Sequence, residues 1–253
     1  SVAVPTGAER ISYSQTIEEV PTLPPPVSTK EYEKFKKRYE KQFGAGIGES
    51  VAELSDELDF FVRTLEGMEP MEKLEAIEAF VREVGYYDFD NGEVRSEKQG
   101  LSLSENLSYM QTRMRELKRR EGKNISTHKK YAGVCSDFAK LTTALLREAG
   151  FVSGVIKGFQ VAPGEKTVTT KSAHGVAFAL WPSGVEKSTM IVLDGTPSGS
   201  TPEEEALLTS QRAPALSERK KISLEKRAES AEDGKKKLAE LEALLKNLDE
   251  EGI

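Results

Sequence analysis

Gly133-Val134-Cys135-Ser136-Asp137-Phe138 contains the single cysteine of a 253-residue chain, where a loop runs into a helix. From Asp137 to Gly150, Phe138, Leu141, Leu145 and Leu146 recur at helical spacing and define one apolar face. Gly150 supplies the stop expected at a helix C-terminus. Gly133 suits the bend before the helix, and Ser136 and Asp137 suit capping and first-turn positions. A cysteine at such a helix start feels the positive end of the dipole, which favours thiolate over thiol. A lone cysteine is otherwise most simply a small core residue. The choice between nucleophile and core rests on the rest of the chain.

Downstream the periodicity changes. Phe151–Val161 is rich in β-formers and is interrupted by the turn chemistry of Ala162–Lys166. Ala173–Trp181 predicts a second strand, with His174, Val176, Phe178 and Leu180 on one face. Pro182-Ser183-Gly184 turns it, and Thr189–Leu193 predicts a third strand that ends at Asp194-Gly195. A helix followed by antiparallel strands with short turns predicts an α+β domain.

Upstream, the spacing predicts helices over Lys30–Phe43, Val51–Leu65, Pro70 to about Gly85, and Ser102–Gly122, with Pro70 at a first helical position. Gly44–Gly48 reads as a turn, since it lacks both a Gly-Lys-Ser/Thr ending and a preceding strand that a phosphate cradle needs. Tyr86–Gly92 is aromatic and turn-rich and packs most simply against the preceding helices. The basic end of the fourth helix (Arg113, Arg115, Lys118, Arg119, Arg120) reads as solvated surface.

The expected organisation is a Pro-rich tail or linker over residues 1–29, a domain over 30–200 whose part 30–122 is helical, and an extension over 201–253. The extension is a polar connection with a short helix at Glu203–Leu208, then a charged helix over Ser223–Glu251. Its seam of Leu224, Ala228, Ala231, Leu238, Leu241, Leu245 and Leu248 packs on the domain or meets another chain through residues 223–251. Hydrophobic residues are 37% and charged residues 31% of the chain, the balance of a folded centre with charged flanks. A net charge of −6 argues against a nucleic-acid partner, which needs a basic surface. No apolar run is long enough to span a membrane. One cysteine excludes an internal disulfide and a multi-cysteine zinc site, and no metal or cofactor is expected. The start at Ser1 without a signal-like segment reads as a trimmed or mature fragment, and the residues leave the compartment open.

The chain has two histidines, His128 and His174. With Cys135 at a helix start and His174 and Asp194 on neighbouring strands, three side chains can meet at one edge of the sheet. An imidazole removes the thiol proton and, once charged, stabilises the thiolate. A carboxylate on the other ring nitrogen fixes tautomer and orientation. His128, seven residues before the cysteine, is the alternative imidazole, though it has no strand context and reads as a loop residue.

Gly133-Val-Cys135-Ser-Asp-Phe-Ala139, Leu145-Leu-Arg-Glu-Ala-Gly150 and Val155-Ile-Lys-Gly158 together resemble the nucleophile block of the transglutaminase-like superfamily. Ala173-His174-Gly-Val-Ala-Phe and Ile191-Val-Leu-Asp194-Gly-Thr-Pro197 resemble its His and Asp blocks, and the likeness spans about Met71 to Pro197. The resemblance implies a papain-like core, with the nucleophile helix packed on an antiparallel sheet. It implies Cys135 as nucleophile, His174 as general base and acid, and Asp194 as its orienting partner. It leans towards an extracytoplasmic setting. One departure is that the position two beyond the histidine, often Trp in the family, is Val176; the sole tryptophan, Trp181, falls late in the strand. The Cys135 backbone N–H is then half of an oxyanion hole, with Tyr131, close in sequence, as the candidate for the other donor.

The leading expectation is acyl transfer on peptide or amide substrates through a Cys135 thioester. Hydrolysis is favoured over transamidation because the domain is minimal, with no evident calcium loop or sandwich domains. The competing expectation, from the polar ends and charged C-terminal helix, is a catalytically silent binding or scaffolding module of a larger protein.

Overall fold

A computed structural model of the chain describes residues 24, 26–43, 55–88, 102–121, 125–159, 173–183, 188–199, 203, 205, 206, 208 and 214–221. The Gly44–Gly48 and Ala162–Lys166 turns, nearly all of the 1–29 tail, and the 223–251 helix lie outside them.

The helical half is set by local capping. Helix α1 (Thr29–Phe43) and helix α4 (Leu103–Glu121) both start on a Ser-x-x-Glu box. Glu31 and Glu105 take the amides of Ser28 and Ser102 at 3.0 and 2.8 Å, and the serine hydroxyls take the glutamate amides in return. Between them come α2 (Asp56–Thr64) and α3 (Pro70–Val84), the latter opening on Pro70 as its spacing predicts. Leu58 of α2 and Leu74, Ile77 and Val81 of α3 are buried in one core with Phe138, Leu141, Leu145 and Leu146 of α5 (Cys135–Glu148). Phe61 and Phe80 stack at 3.9 Å between centroids and tie α2 to α3.

Strands β3 (Ser153–Phe159), β4 (Ala173–Pro182) and β5 (Ser188–Leu193) form an antiparallel sheet in that order. Helix α5 packs on β4 and β3. The chain is thus a mixed α+β fold, with the cysteine helix on an antiparallel sheet. On β4 the buried face is Gly175, Ala177, Ala179 and Trp181, while His174, Val176, Phe178 and Leu180 are half-buried. Small residues on the core face let the helix come close. The core also reaches past residue 200, because Leu208 and Leu216 are 1% and 0% exposed.

A second, parallel pair joins β1 (Gly85–Tyr87) to β2 (Tyr131–Gly133). Its first strand falls where the sequence reads as aromatic and turn-rich. Three-residue strands carry too little alternation to be read, and these two are separated by the whole of α4. Asp88 just beyond β1 is buried and paired with Arg113 of α4, so one cation of the expected solvated face is a structural tether.

Candidate active site

Local geometry fixes where Cys135 sits. Val134 is the N-cap, with extended backbone, and its N–H donates to the Asp137 carboxylate at 3.0 Å. Gly133 leaves room for that carboxylate, since a Cβ would lie 2.9 Å from Asp137 Oδ2 and 3.0 Å from its Cβ. At the other end Gly150 takes a positive φ of 92°. Its N–H donates to Arg147 O, and that of Phe151 to Leu146 O at 2.8 Å, closing the helix in a Schellman motif. The predicted stop of α5 is therefore found and Asp137 lies in its first turn as expected, but the cap is Val134 rather than Ser136, and Cys135 occupies the first helical position.

Helix α5 meets β4 at Gly175. A Cβ on Gly175 would lie 3.1 Å from Ser136 Cα, so the strand runs directly against the first turn of α5 and delivers His174 beside Cys135. On the other side of His174, the β4–β5 register pairs Ala177 with Leu193. Continued by one step it sets Asp194 opposite Val176, diagonal to His174, within reach of an imidazole.

His174 Nε2 and Asp194 Oδ2 are 2.8 Å apart. Cys135 is the other group that acts on the imidazole; with Nε2 taken by the carboxylate, Nδ1 is the nitrogen left for the sulfur. The three side chains are brought together and are nearly closed off, with Cys135 5% exposed and the His174 and Asp194 side chains 9% and 0%. Burial works against a charged imidazole, but hydrogen bonds and charge from Asp194 and Cys135 outweigh it and push His174 up to about 10. Such a site holds an imidazolium at neutral pH, the state that favours a thiolate alongside it.

Every polar group of Asp194 is engaged. Its Oδ1 accepts from the Thr196 amide at 3.1 Å, its N–H donates to Glu78 Oε1 at 2.9 Å, and its C=O accepts from Arg82 Nε at 2.8 Å. Gly195 follows without room for a side chain, because a Cβ would overlap Thr142 Oγ1 and Val81. The Asp194–Thr196 bend is thus wedged between α3 and α5.

The remaining candidates fall elsewhere. Tyr131 is fully buried, and its hydroxyl lies beside Ser55 and Gln111, too loosely for full hydrogen bonds, so it is not directed to the thiol. Trp181 is buried against Tyr32, at 5.8 Å between ring centroids. His128 is exposed in a turn and is not part of the cluster. The Cys135 N–H, in the first turn of α5, has no intrahelical acceptor by its position. Sequence reasoning missed Glu78, Arg82 and Arg219, which stand behind Asp194. The available signal was Glu78 itself, a charge in the apolar stripe of α3 between Ile77 and Val81.

Residues 60–184 match the family model of the transglutaminase-like superfamily. The matched stretch contains Cys135 and His174 and ends before Asp194. No curated protein matches the chain.

Proposed function

From the match of residues 60–184 to the transglutaminase-like superfamily, a family of cysteine-dependent acyl transfer, we propose that the chain cleaves peptide or amide bonds through a Cys135 thioester. The observation that carries this reading is His174 held between Asp194 and Cys135. Cys135 Sγ attacks the carbonyl carbon as thiolate, and the C–N bond breaks as His174 gives its proton to the leaving amine. His174, now neutral, takes a proton from water, whose oxygen attacks the thioester carbon; the C–S bond breaks, the carboxylic acid leaves, and the thiolate–imidazolium pair is restored. Asp194 stays ionised throughout, fixing the imidazole and stabilising its charged form. In this reading the Cys135 N–H donates to the oxyanion of each tetrahedral intermediate.

Water is the favoured acceptor. It needs no binding site of its own, whereas transamidation must shield the thioester from water while admitting an amine. The test is alkylation of Cys135 by iodoacetamide at neutral pH, with mass spectrometry of products from a peptide library in the presence of a fluorescent primary amine. The expected results are alkylation faster than a model thiol, loss of that advantage in His174→Ala, and carboxylic acid as the main product. Amine incorporation would move the acceptor assignment to transamidation. No turnover of the library by the wild-type protein, together with peptide binding that survives Cys135→Ala, would instead favour a silent binding module.

A further inference from the structure

Glu78 is 2% exposed and lies in the middle of the apolar stripe of α3. A buried carboxylate is costly unless its oxygens are fully engaged. Here Oε1 accepts from the Asp194 N–H at 2.9 Å and from Arg82 at 3.3 Å, and Oε2 accepts from the Leu216 N–H at 2.5 Å. Arg82, one turn further along the same helix, also donates to the Asp194 C=O.

The Leu216 contact brings in a segment beyond the family match. Residues 216–221 are helical, and the Leu216 side chain is fully buried in the main core. From one turn on, Arg219 reaches back with a 10% exposed side chain. It stands 3.9 Å from Glu78 Oε1 and donates to Val192 O at 2.5 Å, two residues before Asp194 on β5. Burial raises the Glu78 pKa, opposed by Arg82, the Leu216 and Asp194 amides, and Arg219. Two carboxylates and two guanidiniums therefore balance in one buried cluster behind His174.

We propose that Glu78 is the positioning residue for Asp194, and that residues 214–221 complete the site by holding Glu78 and the end of β5 in place. The proposal rests on the triad reading above and extends the working unit of the enzyme beyond the matched core. It assigns the first part of the C-terminal extension a role in the chemistry through Leu216 and Arg219, which touch no substrate themselves.

The chain offers a direct reporter, because it has only two histidines and His128 is an exposed internal reference. The experiment follows both imidazoles by NMR titration in the full chain, together with exchange of the His174 Nε2 proton, in wild type, Glu78→Gln, Arg219→Gln and Lys220→Gln. Glu78→Gln is expected to lower the His174 pKa by about one pH unit or more and to speed Nε2 proton exchange. Arg219→Gln discriminates between causes. Loss of a nearby cation alone would raise the His174 pKa, whereas loss of the brace lowers it as Asp194 drifts. Lys220, whose partner is Glu75, is the control in the same segment and leaves both signals unchanged. An Arg219→Gln protein that is folded but shows an unchanged or raised His174 pKa overturns the proposal, as does an equal shift in Lys220→Gln. Should Arg219→Gln not fold, Arg219→Lys keeps the charge while losing the guanidinium fork. A lowered His174 pKa in it supports the brace, and an unchanged one overturns it. Failure of the triad reading looks different: the His174 pKa is then not raised already in the wild type.

Discussion

Gly175→Ala perturbs the closest approach between the cysteine helix and the histidine strand. The new Cβ would stand 3.1 Å from Ser136 Cα and 3.4 Å from Ser136 N. Both neighbours are backbone, so no rotamer change relieves the contact. Carbon atoms rest at about 3.5–4.0 Å, so the first turn of α5 withdraws by roughly 0.4 Å or more. Cys135 precedes Ser136 and moves with it, away from His174. The stability cost is modest: alanine gains about 0.5–1 kcal/mol over glycine in a strand, and overpacking takes back about 1–3 kcal/mol. The net loss of about 0–2.5 kcal/mol leaves a domain of this size folded. The chemical cost is larger in proportion. A misplacement of ~1 Å costs on the order of a hundredfold, so about half of that costs roughly tenfold. The assay is the alkylation rate of Cys135 beside a urea midpoint for the same protein. Gly158→Ala is the control, because Gly158 pairs with His174 across the sheet and a Cβ there meets nothing within 4 Å. Alkylation of Gly175→Ala at the wild-type rate, with the midpoint lowered as expected, would refute the idea that this contact sets the thiol–imidazole geometry.

Two further perturbations have defined outcomes. The folded His174 pKa of about 10 exceeds the ordinary 6.5, so its stabilisation is complete below about pH 6.5 and is lost as pH rises through 10. Urea unfolding from pH 7 to 10.5 should show a fall on the order of 2–4 kcal/mol in wild type and a much flatter profile in Asp194→Asn; equal profiles would detach His174 from Asp194. Gly85→Ala places a Cβ 2.7 Å from the Phe138 ring and 2.8 Å from Val81 O, which should lower thermal stability by about 1–3 kcal/mol, as calorimetry would show.

The site was legible where chemistry coincides with local pattern. Cys135 was marked by a helix start with Gly133 before it and Gly150 after it, and His174 and Asp194 by strand alternation and its ends. Those are short-range signals, and the register needed only short connections. The parallel β1–β2 pair was not legible, since its two strands meet across α4. The support behind Asp194 was harder still, because Glu78, Arg82 and Arg219 come from segments that meet only in the tertiary fold. In sequence they look like helix-surface charges, except that Glu78 breaks an apolar stripe. Tyr131 shows the converse error: nearness to Cys135 in sequence did not aim its hydroxyl at the thiol, because β2 turns it towards α2 and α4.

Asp194 belongs to β5 by connectivity, yet the sheet does not hold its backbone. Where a neighbouring strand would accept its N–H and donate to its C=O, Glu78 accepts and Arg82 donates. Two side chains one helical turn apart thus act as a substitute ladder rung, and α3 stands in for the missing strand. The distance between helix layer and sheet is therefore written into the orientation of a carboxylate. Breathing of the layers would reach His174 before any strand in the sheet came apart, and the Asp194 amide should exchange with solvent in step with α3 rather than with β4.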